Sequence, residues 1–236
     1  MITSDELQSR WDDSYRRHEN FLFYPHEEVI RFFARRIRRR IAPGRFHDIH
    51  PKAATGRLLD LGCGIGRHVL FGLTMGVDAY GVDLSEVAIA SARDWLRRDG
   101  HADAERRCVV GDVTALPWPD GTFTFAVSHG VLDSMPFAVA LAGVRELHRV
   151  IEPGGLFYCD LISGDESGRP ADFAGEVLVE KDHERGTVQS YFSRAKIDEL
   201  IGERFRLLEC AIIRRTDILT GRHASRWHLV AERASQ

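Results

Sequence analysis

Short apolar runs alternate with longer stretches of helical periodicity along most of this chain. Arg57-Leu-Leu-Asp-Leu61 has the length of a strand and stops at glycines. A helical stretch follows from about Arg67 to Met75, and Gly76 ends it as a C-terminal glycine does. Val77 to Val82 predicts a second strand, after which Ser85 N-caps a helix carrying Val87, Ile89, Ala92, Trp95 and Leu96. Cys108-Val-Val110, Thr122 to Ser128 and Gly155 to Ile162 predict further strands. Pro136 opens a helix running to Ile151, and Glu152-Pro-Gly-Gly155 has the composition of a turn. Strands alternating with helices predict βαβ units and a parallel sheet, an α/β fold.

Two stretches break this rhythm. Residues 163–190 are rich in Gly, Asp, Glu and Ser and include Pro170, which predicts a long surface excursion. In a compact domain such a segment is functional or mobile. Beyond it, Ser193 N-caps a short helix ending at Gly202. Phe205–Arg214 and Ala224–Ala231 flank Thr220-Gly221 and predict a closing antiparallel hairpin. The second break is the arm before residue 57. There Val29, Phe33, Ile37 and Ile41 recur every four residues, which predicts an amphipathic helix. Six arginines, Arg31 through Arg40, crowd its other face. Such a face is either simply solvated or a phosphate-contacting patch for RNA or a membrane surface.

Composition narrows the classes. The 236 residues are 44% apolar and 28% charged, a globular balance. Thirty-two basic against 35 acidic residues leave a net charge of −3, with no overall pull toward nucleic acid or anionic membrane. No apolar run approaches the ~18 residues of a membrane span, and Met1 to Asn20 lacks the apolar core of a signal peptide. The four cysteines are widely spaced and include no C-x-x-C pair, which fits free thiols in a reducing compartment. His47-Asp-Ile-His50 offers three possible metal ligands in an expected loop, but no fourth, so no metal is assigned. A soluble cytoplasmic protein is expected, with a helical arm or lid over residues 1–56 and one α/β domain over 57–236.

The chemistry concentrates in Leu58-Leu-Asp-Leu-Gly-Cys-Gly-Ile-Gly-Arg67. An apolar strand ends in glycines and a helix begins at once, so a ligand can approach bare main chain and unpaired N–H groups. A dinucleotide fingerprint needs G-x-G-x-x-G, whereas Gly62, Gly64 and Gly66 run G-x-G-x-G and Arg67 stands at the third fingerprint position. This spacing disfavours a dehydrogenase. Asp60 would also repel a pyrophosphate but suits an adenosyl ligand with a cationic sulfonium. Asp83 closes the second strand, where a carboxylate accepts from both ribose hydroxyls. Asp112 follows the third, placed to accept from an adenine amino group.

These motifs, in this order, closely resemble the class I S-adenosylmethionine-dependent methyltransferases over roughly residues 57–162. The resemblance implies a Rossmann-like, seven-stranded, mostly parallel sheet with a reversed last strand and helices on both faces. It implies S-adenosyl-L-methionine as cofactor and S-adenosyl-L-homocysteine as product. Asp60, Gly62, Cys63, Gly64 and Gly66 would form the first binding motif, and Asp83 would hold the ribose. Leu84 would flank the adenine, and Asp112 and Val113 would border its edge. Ser128 and His129 would face the reacting methyl. Arg67 would pair with the cofactor carboxylate, with His68 a second candidate. Trp11 and Tyr15, with Tyr24 and Pro25 beyond, would either close over the cofactor or staple the arm to the sheet.

Methyl transfer from a sulfonium is an in-line displacement needing no metal, although an oxygen or nitrogen nucleophile often needs a base. His129 and Asp133 stand just past the fourth strand as candidates, each with a plainer alternative as cofactor shell or cap. No N-P-P-Y or D-P-P-Y follows that strand, which speaks against adenine-N6 or glutamine methylation. The expected function is transfer to an O or N atom of a small-molecule acceptor, with residues 163–192 as a substrate cover and a homodimer possible. Alternatives are RNA or protein methylation through Arg31–Arg40, or a non-catalytic cofactor-binding module.

Overall fold

Leu58, Leu59 and Leu61 are wholly buried within one five-residue strand, so both faces of that strand must be covered. In the computed structural model, which describes residues 4–180 and 182–234, they are covered by helices from either side. The predicted arm, excursion and domain include residues 1–3, 181 and 235–236, which lie outside the described ones. The arm contains α1 (Ser4–Arg16), α2 (Glu27–Phe32) with a π-helical turn (Phe33–Ile37), and the hairpin β1 (Arg38–Ala42) and β2 (Arg45–Asp48). The alternating region follows as β3 (Arg57–Leu61), α3 (Arg67–Thr74), β4 (Asp78–Asp83), α4 (Glu86–Arg98), α5 (Ala104–Arg107), β5 (Cys108–Val110), β6 (Phe123–Ser128), α6 (Phe137–Val150) and β7 (Ile151–Ile162). The excursion carries a hairpin, β8 (Glu176–Leu178) and β9 (Val188–Ser190). The chain closes with α7 (Arg194–Ile201), β10 (Phe205–Thr216) and β11 (His223–Arg233).

The main sheet has the order β10-β11-β7-β6-β3-β4-β5. Strands β3 to β7 are parallel, and β11 runs antiparallel between β7 and β10. This is the expected seven-stranded sheet with its last strand reversed. Side chains alternate between two cores: Leu59, Leu61 and Ala126 face the layer holding Val144, Leu147 and Ile197, while Leu58, Phe125 and Val127 face Val69, Ile89 and the arm's Phe33. Among the described residues no helix is long and apolar enough to cross a membrane.

Three local expectations fail, each for a physical reason. The Arg31–Ile41 segment is not one helix, because it ends at Ile37 and continues as β1. The Ile37 carbonyl accepts from Ile49 and His50 N–H groups, and the buried Arg38 guanidinium reaches across to the end of α3. It donates to the Met75 and Gly76 carbonyls at 3.1 Å, closing the orphan carbonyls at the end of α3, and bonds Asp48 at 2.7 Å. Val29, Phe33 and Ile37 are buried as expected, but Ile41 is 54% exposed. Second, His47 lies in β2 opposite Arg39 rather than in a loop. No group of three or more described His, Cys, Asp or Glu residues is disposed to hold a metal. Third, Glu152-Pro-Gly-Gly155 is no terminal turn but a bulge inside β7. Pairing jumps there from Phe123↔Ile151 to Phe125↔Leu156, with Gly154 at φ +77°.

Phe33 and Ile41 separate the two readings of the arm. Phe33→Ala is expected to lower unfolding free energy by ~3–5 kcal/mol, and Ile41→Ala to change it by less than ~0.5 kcal/mol. Urea denaturation measures both, and equal costs would restore the continuous helix.

Candidate functional site

A cavity of ≈ 450 Å³ lies beyond the carboxyl ends of the parallel strands, where ligands of open α/β sheets bind. Its floor is the turn after β3. Gly62, Gly64 and Gly66 all have left-handed backbones, at φ +67°, +53° and +86°. A Cβ on Gly64 would stand 2.5 Å from the Tyr15 hydroxyl, so the arm packs directly on the bare turn. Gly66 serves packing instead, since a Cβ there would lie 3.2 Å from Ala92 of α4. Gly62, Cys63 and Gly64 line the cavity, whereas Gly66 does not.

Asp83 ties the turn together. One carboxylate oxygen accepts from Gly64 N–H at 2.8 Å and the other from Ser85 N–H at 2.9 Å. Burial lifts its carboxyl to about 6, the two backbone bonds offsetting only part of that penalty. Leu84, Asp112 and Val113 continue the wall, and Asp112 accepts from Thr114 N–H and Oγ at 2.8 and 2.7 Å. Asp60 is buried behind the wall, with Oδ1 3.6 Å from His68 Nδ1 and Oδ2 lacking a hydrogen-bond partner.

The arm and the excursion form the roof. Trp11 and Tyr15 line the cavity, and Tyr15 packs with Ile65 and Ala88. Tyr24, in contrast, is 85% exposed and covers nothing. Asp12 holds α1 in place, because its Oδ1 accepts from Ser85 Oγ at 2.6 Å and Val87 N–H at 3.3 Å at the start of α4. Glu184, Val188 and Gln189 enter from the excursion. A latch joins the two: Asn20 donates to Glu184 at 3.1 Å, Glu184 N–H donates to Glu19 at 3.1 Å, and Arg10 bonds the Gly186 carbonyl.

Past β6 the geometry reassigns several candidates. Ser128 is buried outside the cavity wall with its hydroxyl unpartnered, so it does not face a ligand. His129 does line the cavity. Its Nδ1 lies 3.2 Å from Arg67 Nη2, and because guanidinium only donates, the histidine proton sits on Nε2. That Nε2 is buried, 3.5 Å from Asp160 Oδ2. Burial, together with His26, His68 and Arg67 and against Asp160, drives its pKa down to about 3, so it is neutral at pH 7. Nδ1 is thus engaged by Arg67 while Nε2 carries the proton without a hydrogen-bond partner, which makes His129 a residue that orients Arg67 and leaves no lone pair open for a proton. His26 from the arm stacks over it at 4.0 Å.

Asp133 is held through one oxygen, while its buried Oδ1 has no hydrogen-bond partner. Its Oδ2 accepts from Ile162 N–H at 2.8 Å and Arg226 Nη2 at 2.6 Å, and the residue is 1% exposed. Arg226 also donates through Nε to Asp160 at 2.6 Å. Sequence reasoning missed Asp12, His26, Asp160 and Arg226. Asp160 had a signal, as the lone charge in the apolar run Leu156–Ile162, while Asp12 had none.

Comparison with known proteins bears on this geometry. Residues 59–159 match a family model described as a methyltransferase domain. An uncharacterized methyltransferase of Schizosaccharomyces pombe is 34% identical over 123 residues, covering 46% of this chain and 42% of that protein. The 27-O-demethylrifamycin SV methyltransferase of Amycolatopsis mediterranei is 34% identical over 108 residues, 44% of this chain and 38% of that one. A solved SAM-dependent methyltransferase of Methanosarcina mazei superposes with a TM-score of 0.64 at 20% identity, covering 80% of this chain and 100% of that one. Residues 59–159 thus match a methyltransferase domain, and the fold is that of solved SAM-dependent methyltransferases. The chain spans about two-fifths of the length of the curated relatives it matches.

S-adenosyl-L-methionine is the cofactor of this methyltransferase family, and the residues present fit it. The three-glycine turn presents bare main chain, Asp83 keeps unused lone pairs beside it, and the buried Asp60 Oδ2 behind the wall has no hydrogen-bond partner. The arm's attachment is testable without any ligand. Asp12→Ala removes a cap on α4 and is expected to cost ~1 kcal/mol in urea unfolding. It should also speed amide exchange in Ser4–Arg16, and unchanged exchange there would show that α1 is held by other contacts.

Proposed function

We propose that this methyltransferase uses S-adenosyl-L-methionine to methylate an oxygen or nitrogen of a small-molecule acceptor. The observation that carries the reading is the double roof. A cavity of ≈ 450 Å³, within the usual range of small-ligand sites, is closed over by the arm and the excursion and latched through Asn20, Glu184 and Arg10. A small acceptor fits beneath such a roof, and a polymer strand does not. The arginine stripe supports the same reading, because most of it is already spent within the protein. Arg31 pairs with Glu28 at 3.1 Å, Arg36 with Glu209 at 3.4 Å, Arg38 closes α3, and Arg40 donates to the Thr74 carbonyl at 2.8 Å. The rifamycin-precursor relative points the same way by its name.

When bound, the cofactor supplies a methyl carbon on a sulfonium: an acceptor lone pair forms the new bond while the C–S pair returns to sulfur, giving S-adenosylhomocysteine. In this reading Asp83 accepts from the ribose hydroxyls, and Leu84, Asp112 and Val113 border the adenine. Arg67, oriented by His129, faces the cofactor carboxylate, and Asp60 balances the cationic end. In this reading Arg67 occupies the His129 Nδ1 lone pair and Arg226 one Asp133 oxygen, the other being buried, so neither offers the acceptor proton an exposed base. Catalysis by this chain is then chiefly alignment and exclusion of water.

Titration calorimetry with S-adenosylhomocysteine tests the site. Asp83→Ala is expected to weaken binding by ~1.5–3 kcal/mol, the loss of hydrogen bonds to a charged acceptor. The pH dependence has a defined sign. Asp83 in the free protein is protonated below about 6, and the neutral acid is a much weaker acceptor than the carboxylate. Affinity should therefore be flat above pH 7 and fall by up to ~10-fold per pH unit below 6, a fall that Asp83→Ala abolishes. No binding by wild type, or a response to NAD instead, would overturn the proposal.

A further inference from the structure

The sheet order separates two arginines that line the same cavity. Arg67 opens α3 directly after the glycine turn, on the side of β3 and β4. Arg226 begins the paired part of β11 opposite Ile162, on the far side of β6 and β7. Two strands, β7 and β6, therefore lie between β11 and the expected cofactor side, which puts Arg226 where an acceptor would rest.

Arg226 is held unusually firmly. Nε donates to Asp160 at 2.6 Å and Nη2 to Asp133 at 2.6 Å. The holders are themselves anchored: Asp160 accepts from Gly130 N–H at 2.7 Å and Asp133 from Ile162 N–H at 2.8 Å. The two carboxylates are 0% and 1% exposed, while the Arg226 side chain is 33% exposed. These bonds use one N–H on Nε and one on Nη2. The remaining N–H groups, two on Nη1 and one on Nη2, have no acceptor among the described residues, and Arg226 borders the cavity. A guanidinium fixed along one edge with its end open is a fork for a bidentate oxyanion. Although burial opposes both charges, Arg226 and His129 hold Asp160 below the ordinary carboxylate range, whereas burial pushes Asp133 above it. Met135, Pro136, Val139 and Val188 add apolar wall to the same cavity.

We propose that Arg226 is a specificity-determining residue that binds a carboxylate on the acceptor, so that the acceptor is a small organic acid with an apolar body. The inference rests on the cofactor reading above and deepens it.

The test uses the full chain saturated with S-adenosylhomocysteine and three matched probes: benzoate, benzamide and phenyl phosphate. Benzoate is expected to bind at least ~10-fold more tightly than benzamide, since only the acid completes charge-assisted bonds. Phenyl phosphate, too large for one guanidinium edge between two carboxylates, should bind no better than benzoate. Arg226→Gln should abolish the acid preference and Arg226→Lys keep part of it, with S-adenosylhomocysteine affinity in the lysine variant within ~2-fold of wild type. Equal binding of acid and amide by wild type overturns the inference, as does tighter binding of phenyl phosphate. A loss of S-adenosylhomocysteine affinity in Arg226→Lys also overturns it, by moving the guanidinium to the cofactor. Should Arg226→Gln not fold, the wild-type contrast and the lysine variant decide. Failure of wild type to bind S-adenosylhomocysteine at all instead sinks the cofactor reading, a separate result.

Discussion

The bond from Gly64 N–H to the Asp83 carboxylate, 2.8 Å long, joins the end of β3 to the end of β4 and sets the position of everything built above them. The turn after β3 takes left-handed conformations at three glycines, which a chain does not hold for lack of alternatives. A buried carboxylate that accepts from the turn and from Ser85, the second residue past β4, selects one of them. Isolating that charge raises its pKa to about 6. The same burial that makes Asp83 costly leaves a strong acceptor facing a cavity, and functional sites often combine these properties.

The roof follows from the turn. Tyr15 rests on Gly64 because no side chain stands in its way, and Asp12 then reaches the start of α4, where Ser85 and Val87 present donors. A helix whose own sequence is largely polar is thereby placed over the cavity by two contacts at its buried edge. The excursion is held in turn by the arm through Glu19 and Asn20. Cover of this kind depends on long-range pairs with few buried apolar side chains, the sort of structure that opens locally at low cost.

The acceptor side obeys a different rule. Three charges, Asp133, Asp160 and Arg226, are brought together beside a neutral His129, and each is held by backbone or by another member. Removing one partner from such a set leaves an uncompensated buried charge, so its members act as a unit. Asp133 and His129 have the residue types of a base and its helper. Their surroundings turn one into an anchor for a guanidinium and the other into an orienting group for Arg67.

What the chain dictated by itself was the sheet and the glycine turn, because both rest on local signals. Leu58, Leu59 and Leu61 mark a strand covered on two faces, Gly62, Gly64 and Gly66 mark backbone that side chains disfavour, and Asp83 and Asp112 fall at strand ends by spacing alone. The resemblance to a methyltransferase rested on these same positions. Tertiary structure decided the rest, where energy comes from partners distant in sequence. Helical spacing marked Ile41 as buried, yet Arg38 is drawn across to the end of α3 and the chain switches to a strand. Nothing near Asp133 announces Arg226, 93 residues away, and nothing near Asp160 announces it 66 residues away. Periodicity reports which face of an element is apolar. Which charge meets which across a folded site is settled only when the strands take their order, because burial makes an unpaired charge too costly and leaves only arrangements that pair it.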